Sequence, residues 1–210
     1  MQTYSTDSSI IYVVDDDQTV RESLESLFDS VGLKSRSFSS ATDFLSARLP
    51  DVTSCLILDV RLPGLGGLDF QTDLARAKID IPIIFITGYG DIPMSVRAMK
   101  HGAVEFLSKP IREQDLLDAV QLALNRANTH RETYLRTRNL HEHYAALSTR
   151  EKEVMRLVCA GLMNKQVAAE IGISEITVKV HRHNVMKKLG AKSLPDLVRM
   201  ADTLEVPDES

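Results

Sequence analysis

Four places in the chain carry residues that could do phosphoryl chemistry together, although they are far apart in sequence. Asp15, Asp16 and Asp17 follow the apolar run Ile10–Val14, and Asp59 follows Cys55–Leu58. Thr87 ends the run IFIT, and Lys109 closes EFLSK. Carboxylates brought together repel one another unless a cation joins them, and a hard divalent ion such as Mg²⁺ suits an all-oxygen set. A hydroxyl and an ammonium beside them offer a donor and a positive charge, which an incoming phosphoryl group needs. A carboxylate is a weak nucleophile, but phosphoryl transfer asks mainly for positioning and charge neutralisation. Any one Asp after a strand is more often a helix cap. The ordered recurrence of Asp16, Asp59, Thr87 and Lys109 at four such ends points instead to a single site.

Those residues need a scaffold that brings four chain segments to one edge. Ile10–Val14, Cys55–Leu58, Ile83–Ile86 and Val104–Leu107 are short and apolar, and Lys34–Phe38 is a weaker fifth run. Amphipathic stretches, Val20–Val31, Ala41–Arg48 and Met94–His101, lie between them. This alternation predicts an α/β, doubly wound parallel five-stranded sheet with helices on both faces. Its strands are almost continuously apolar because both faces are covered. Ligands of such sheets bind beyond the carboxyl ends of the strands, where the acidic residues fall.

The rest of the chain reads as helix. Leu116–Arg138 is a helix that turns strongly polar, with no Pro/Gly/Ser tract, so the connector is expected to be helical. Ser148 and Glu151 fit a capping box, opening a helix that ends near Ala160 before Gly161. Asn164 is expected to cap a second helix through Ile171. Ser174, after the turn at Gly172, caps a third reaching Leu189, and Ser193 caps a fourth, Leu194–Leu204. Two helices joined by a short Gly-containing turn make a helix-turn-helix candidate. The expected organisation is an α/β domain over 10–126, a helical linker over 127–142 and a small all-α domain over 143–208.

Composition narrows the function classes. With 43% hydrophobic and 26% charged residues, the chain suits folded domains rather than wholesale disorder. No run approaches a membrane span, and the polar start, Met1–Ser9, does not read as a secretory signal. The two cysteines, Cys55 and Cys159, sit in apolar stretches, so neither a disulfide framework nor a zinc site is expected, and a cytoplasmic location follows. The net charge of −4 hides an asymmetry: residues 1–128 hold 12 basic and 18 acidic residues, residues 129–210 hold 13 and 11. Within Ser174–Lys192 there are five basic residues against one acidic. The two halves therefore suit different partners.

On a helical wheel Val178, His181, Val185 and Leu189 share the side expected to face a core. Ile176, Val180, His183 and Lys187 lie opposite, with Lys179 on the flank and Arg182 near the core side. Aliphatics beside Lys and His on an outward face suit a helix entering a major groove, where an aliphatic meets a thymine methyl.

The motifs IYVVDDD, LILDVRLPGLGGLD and FITGYGDIPMSVRAMKHGAVEFLSKP resemble the receiver domain of two-component response regulators, closely those of the FixJ type. LSTREKEVMRLVCAGLMNKQVAAEIGISEITVKVHRHNVMKKLGAKSLPDLVRMA resembles the LuxR-type helix-turn-helix of FixJ- and NarL-like regulators. The first resemblance implies that Asp59 accepts the phosphoryl group. It implies that Asp15 and Asp16 form the acidic pair, with Asp16, Asp59 and the backbone carbonyl of Arg61 ligating Mg²⁺. Thr87 and Lys109 would contact the phosphoryl oxygens, Phe106 would be the aromatic switch in place of the commoner Tyr, and Lys109–Pro110 would be a peptide bond that is often cis. The second implies base reading by Lys179, Val180 and His183, and phosphate contacts from Asn164, Lys165, Thr177, Arg182 and Lys187.

Together they imply a transcription regulator, not an enzyme. Its partners would be a sensor histidine kinase, double-stranded promoter DNA, RNA polymerase and, when phosphorylated, a second copy of the chain. Two other classes fit parts of the sequence: a Mg²⁺-dependent phosphohydrolase using Asp59, and an adaptor that binds proteins only. The hydrolase lacks a general acid beside Asp59, where Val60 and Arg61 follow, and leaves the basic helix unexplained. Salt-dependent DNA binding separates regulator from adaptor.

Overall fold

The apolar runs become five parallel strands in a computed structural model that describes residues 9–63, 66–77, 79–88 and 92–204, Leu68 by its backbone alone. Residues 1–8, the Gly64–Leu65 pair of the LPGLGG motif, and the end of the expected second domain, 205–208, lie outside the described residues. The first unit carries β1 (Ile10–Val14), α1 (Gln18–Ser30), β2 (Ser35–Phe38), α2 (Ala41–Ser46), β3 (Ser54–Asp59), α3 (Gly67–Arg76), β4 (Ile83–Thr87), α4 (Ile92–Lys100), β5 (Glu105–Ser108) and the start of α5 (Glu113–Ala145). Strand order is β2-β1-β3-β4-β5, the doubly wound arrangement expected.

Strand alternation divides the core in two. Tyr12, Val14, Leu56, Leu58 and Phe85 point to one face, against Phe44 of α2, Phe70 and Leu74 of α3 and Ala98 of α4. Ile11, Val13, Cys55, Ile57, Ile84 and Ile86 point to the other, against Leu24 and Phe28 of α1 and Leu116, Val120 and Ala123 of α5. Both faces are covered, so β1, β3 and β4 read as almost continuous apolar runs, whereas the edge strands β2 and β5 are more polar and less buried. On the first face Tyr12, Phe38, Phe44 and Phe70 stack as a chain of tilted and edge-on rings with centroids 5.3–6.2 Å apart. Such geometry adds to the area they bury.

The register levels the strand ends. Val14 pairs with Leu58, Asp59 with Ile86, and Thr87 with Ser108. Asp15, Asp59, Thr87 and Lys109 thus fall at neighbouring positions along one edge.

The second unit begins after Arg131, within α5. Helices α6 (Thr149–Cys159), α7 (Asn164–Ile171), α8 (Glu175–Leu189) and α9 (Leu194–Thr203) enclose two small clusters. Leu147, Met155, Val185, Leu189 and Leu197 form one, joined by Leu140 and Tyr144 of α5. Val154, Val158, Val167 and Val178 form the other. The capping box is present: the Ser148 hydroxyl accepts from Glu151 N–H, and Glu151 Oε2 accepts from Ser148 N–H. Gly172 and Gly190 take left-handed backbone at φ 69° and 72°, ending α7 and α8.

Some expectations shift. Helix α3 has no counterpart in the sequence reading, because it opens on two glycines, which read as loop rather than as a helix start. Helix α5 runs further at both ends than Leu116–Arg138, and β5 starts one residue later than Val104. Asn164 does not cap α7: it is the first helical residue, Met163 is the cap position, and Gln166 Oε1 accepts from Met163 N–H. The Asn164 side chain is engaged elsewhere, its Oδ1 accepting from Arg182 at 3.2 Å. Both cysteines are free thiols, and the Lys109–Pro110 bond is cis.

Candidate functional site

At the carboxyl edge of β1, β3 and β5 one ammonium bridges two carboxylates. Lys109 Nζ donates to Asp15 Oδ2 and to Asp59 Oδ2, each at 2.8 Å. Asp15 is fully buried and Asp59 nearly so. The remaining oxygens of both are also engaged: Asp59 Oδ1 accepts from Arg61 N–H, and Asp15 Oδ1 from Asp17 N–H, each at 2.9 Å. Asp16, exposed, completes the group, and ligand oxygens of Asp15, Asp16 and Asp59 lie within 4.8 Å of one another.

Burial is the largest influence on Asp15, and it pushes the carboxyl above the usual range despite the hydrogen bonds from Lys109 and Asp17; the charge of Asp59 adds to the rise. Burial alone would depress Lys109, but the hydrogen bonds and charges of Asp15 and Asp59 outweigh it and hold the ammonium above its ordinary value. Three carboxylates against one ammonium leave the pocket short of positive charge. An all-oxygen set at this spacing, with a lifted carboxyl, fits a hard divalent cation.

Thr87, the last residue of β4, is fully buried, and its carbonyl accepts from Lys109 N–H at 2.7 Å. Phe106 of β5 is half-buried, its ring 6.3 Å from that of Phe85. Two further residues shape the pocket, and of these Arg21 carried no sequence signal. Arg21 donates through Nη1 to the carbonyls of Asp15 and Asp16 at 2.7 and 3.0 Å, pinning the acidic loop from the first turns of α1. Gly67 comes back against the acceptor strand: a Cβ there would stand 2.5 Å from the Asp59 carbonyl oxygen and 2.9 Å from Val60 Cα. Gly67 lies in the LPGLGGLD motif that carries the receiver resemblance, but only the fold identifies its neighbour.

On α8, Val178, Val185 and Leu189 are buried while Ile176, Lys179, Val180, His183 and Lys187 face outward, as the wheel placed them. Lys179 pairs with Glu175 at 3.1 Å. Thr177 N–H donates to Ser174 Oγ at 3.1 Å. Lys165 is exposed on the first turn of α7, beside the Asn164–Arg182 pair. An ion pair between a buried carboxylate and an exposed ammonium ties α8 to α6: Lys188 Nζ donates to Glu151 Oε2 at 2.7 Å, the main reason that the Glu151 carboxyl is held below its usual range.

Comparison with known proteins decides what this pair of sites belongs to. Residues 11–121 match the family described as response regulator receiver domain, and residues 145–201 match bacterial regulatory proteins, luxR family. The chain belongs to the response regulators. Nodulation protein W of Bradyrhizobium diazoefficiens is 59% identical to this regulator over 97% of the chain and 90% of that protein. The transcriptional regulatory protein FixJ of Azorhizobium caulinodans is 43% identical over 91% of the chain and 90% of its own. Among solved structures, the response regulator StyR is 47% identical with a TM-score of 0.83, covering 93% of the chain and 98% of that structure. Full-length FixJ from B. japonicum is 39% identical with a TM-score of 0.56, covering 95% and 98%. The regulator is a phosphorylation-activated transcription factor, a family that is not enzymatic, so the hydrolase and protein-only adaptor readings fall. Its family implies a histidine kinase and promoter DNA as partners. Among the described residues no helix is long and apolar enough to cross a membrane.

Proposed function

We propose that Asp59 is the phospho-acceptor, and that its modification drives dimerisation and promoter binding by a cytoplasmic regulator. The observation that carries this is the Lys109 bridge to Asp15 and Asp59 at the sheet edge. Asp16 and Asp59, with the Arg61 carbonyl and Asp15 beside them, hold Mg²⁺, which when bound supplies positive charge against the phosphoryl oxygens. An Asp59 oxygen attacks phosphorus in line, the P–N bond to the kinase histidine breaks, and the imidazole leaves. Lys109 turns from its carboxylate partners to the transferred group, and the Thr87 hydroxyl moves toward it. A groove of about 650 Å³ lined by Val20, Leu24 and Leu27 of α1 and by Lys109, Pro110 and Ile111 supports docking of the kinase beside the acceptor.

The added charge of about −1.5 to −2 needs new donors, and Thr87 and Lys109 supply them. Movement of Thr87 opens room for Phe106 to turn inward, remodelling the face of α4 and β5. Two chains then pair, through segments 10–126, and present their 143–208 domains on helical connectors over 127–142. In each, Lys179, Val180 and His183 read bases while Asn164, Lys165, Thr177, Arg182 and Lys187 hold phosphates, and the bound dimer engages RNA polymerase. The test compares wild type with Asp59→Asn, each with and without an acyl-phosphate donor and Mg²⁺, by mass and by DNA binding. Wild type should gain a phosphoryl mass, dimerise and bind DNA tightly; Asp59→Asn should gain no mass, stay monomeric and bind DNA only weakly. Phosphorylation that persists in excess chelator, or in Asp59→Asn, would defeat the assignment.

A further inference from the structure

The outward face of α8 holds an aliphatic residue that the reading above leaves without a role. Ile176 is 75% exposed, and Val180, one turn later on the same stripe, is 53% exposed. Neither serves the core, which α8 meets through Val178, Val185 and Leu189. The polar side chains around Ile176 are engaged within the helix: Glu175 with Lys179 at 3.1 Å, and Thr177 with the Ser174 hydroxyl at 2.8 Å. Ile176 is the second residue of α8, and first-turn residues of a helix lying in the major groove are the ones that meet base edges. The apolar group which that groove displays is the C5-methyl of thymine.

We propose that Ile176 is a specificity-determining residue that packs on a thymine methyl, so that Ile176 and Val180 read two thymines in each half-site. The inference rests on α8 being the DNA-reading helix. Four residues of α-helix rise about 6 Å, against 3.4 Å per base along a strand, which sets the two thymines about one or two base pairs apart. Selection is two-sided. Ile176 gains from covering the methyl, and a cytosine there would lose hydration of its N4 amine to a side chain that cannot accept a hydrogen bond.

The experiment uses the full chain, treated with an acyl-phosphate donor and Mg²⁺, to select from a randomised duplex library. In the enriched site each thymine is then replaced singly by deoxyuridine, which removes the methyl and nothing else. In wild type, two replacements per half-site should each weaken binding about fourfold, the effect of leaving one methyl-sized group uncovered. Ile176→Ala should lose the penalty at one thymine and keep it at the other, Val180→Ala the reverse, and Ile176→Val should retain most of it. Undiminished penalties at every thymine in Ile176→Ala, with its non-specific binding intact, overturn the assignment of Ile176. Enrichment of no sequence by wild type instead defeats the reading of α8 as the DNA-reading helix.

Discussion

Lys109 carries the heaviest electrostatic duty of any residue in the acceptor pocket. Lys109→Met would leave Asp15 and Asp59 facing each other without their shared cation, at a cost of about 3 kcal/mol. The sign of its pH dependence follows from Asp15, whose folded-state pKa already lies above its ordinary 3.8. A raised carboxyl contributes its stability fully below the unfolded value and loses it as pH rises through the folded one. The variant's melting temperature should therefore fall as pH is raised, more steeply than that of wild type, and a thermal unfolding series across pH reads it directly. The same scale separates base readers from phosphate holders. Lys179→Ala should relax preference at one base position by roughly 1–3 kcal/mol, whereas Lys165→Ala should weaken all sequences alike and flatten the salt slope. Binding isotherms on matched and single-mismatch duplexes at several salt concentrations decide it; identical behaviour of the two variants would reject the register given to α8.

At the scale of elements, Glu151 joins two helices that must keep a fixed angle if α8 is to present its outward face. It closes the capping box of α6 and accepts from Lys188 of α8. Glu151→Ala should destabilise the second unit by about 1–2 kcal/mol, through a lost cap and a lost charge-assisted hydrogen bond to Lys188. Because Lys188 and the Ser148 contacts hold this carboxyl below its ordinary 4.5, its contribution is complete above that value and disappears as pH falls through the lowered one. Glu151→Gln should accordingly differ most from wild type near neutral pH, the difference shrinking in acid. Amide exchange in α6 and α8, followed in the full chain, measures it.

For the whole molecule, the question is how a new charge at Asp59 becomes tighter DNA binding. Helix α4 exposes Val96 and Met99, with Lys100 beside them, at 45% and 44% for the two apolar residues. A modest self-complementary contact there would tether two α8 helices, and tethering raises affinity on paired half-sites without any new base contact. Met99→Glu should still be phosphorylated on Asp59 but stay monomeric in sedimentation, and should lose about 100-fold in affinity for half-sites one helical turn apart. If phosphorylated wild type itself stays monomeric while its DNA affinity rises, unmasking of the second unit replaces dimerisation as the coupling.

Local pattern was enough to read much of this protein. Continuous apolar runs followed by Asp or Lys marked the strands and their functional ends, because a strand covered on both faces leaves polar residues only at its edge. Ser148 with Glu151, Ser174, Gly172 and Gly190 marked helix ends, because caps depend on near neighbours in sequence. What depends on contact between distant segments was decided by the tertiary structure. Asn164 resembles a cap but turns to Arg182, a partner on another helix. Arg21 grips the acidic loop, Gly67 presses on the Asp59 backbone, and Lys188 reaches Glu151 across the second unit. The Lys109 bridge is of the same kind: sequence placed an ammonium and two carboxylates at one sheet edge, and strand register brought them to 2.8 Å. Spacing along a chain encodes which face a residue occupies, whereas the pairing of two faces is set by how the elements pack.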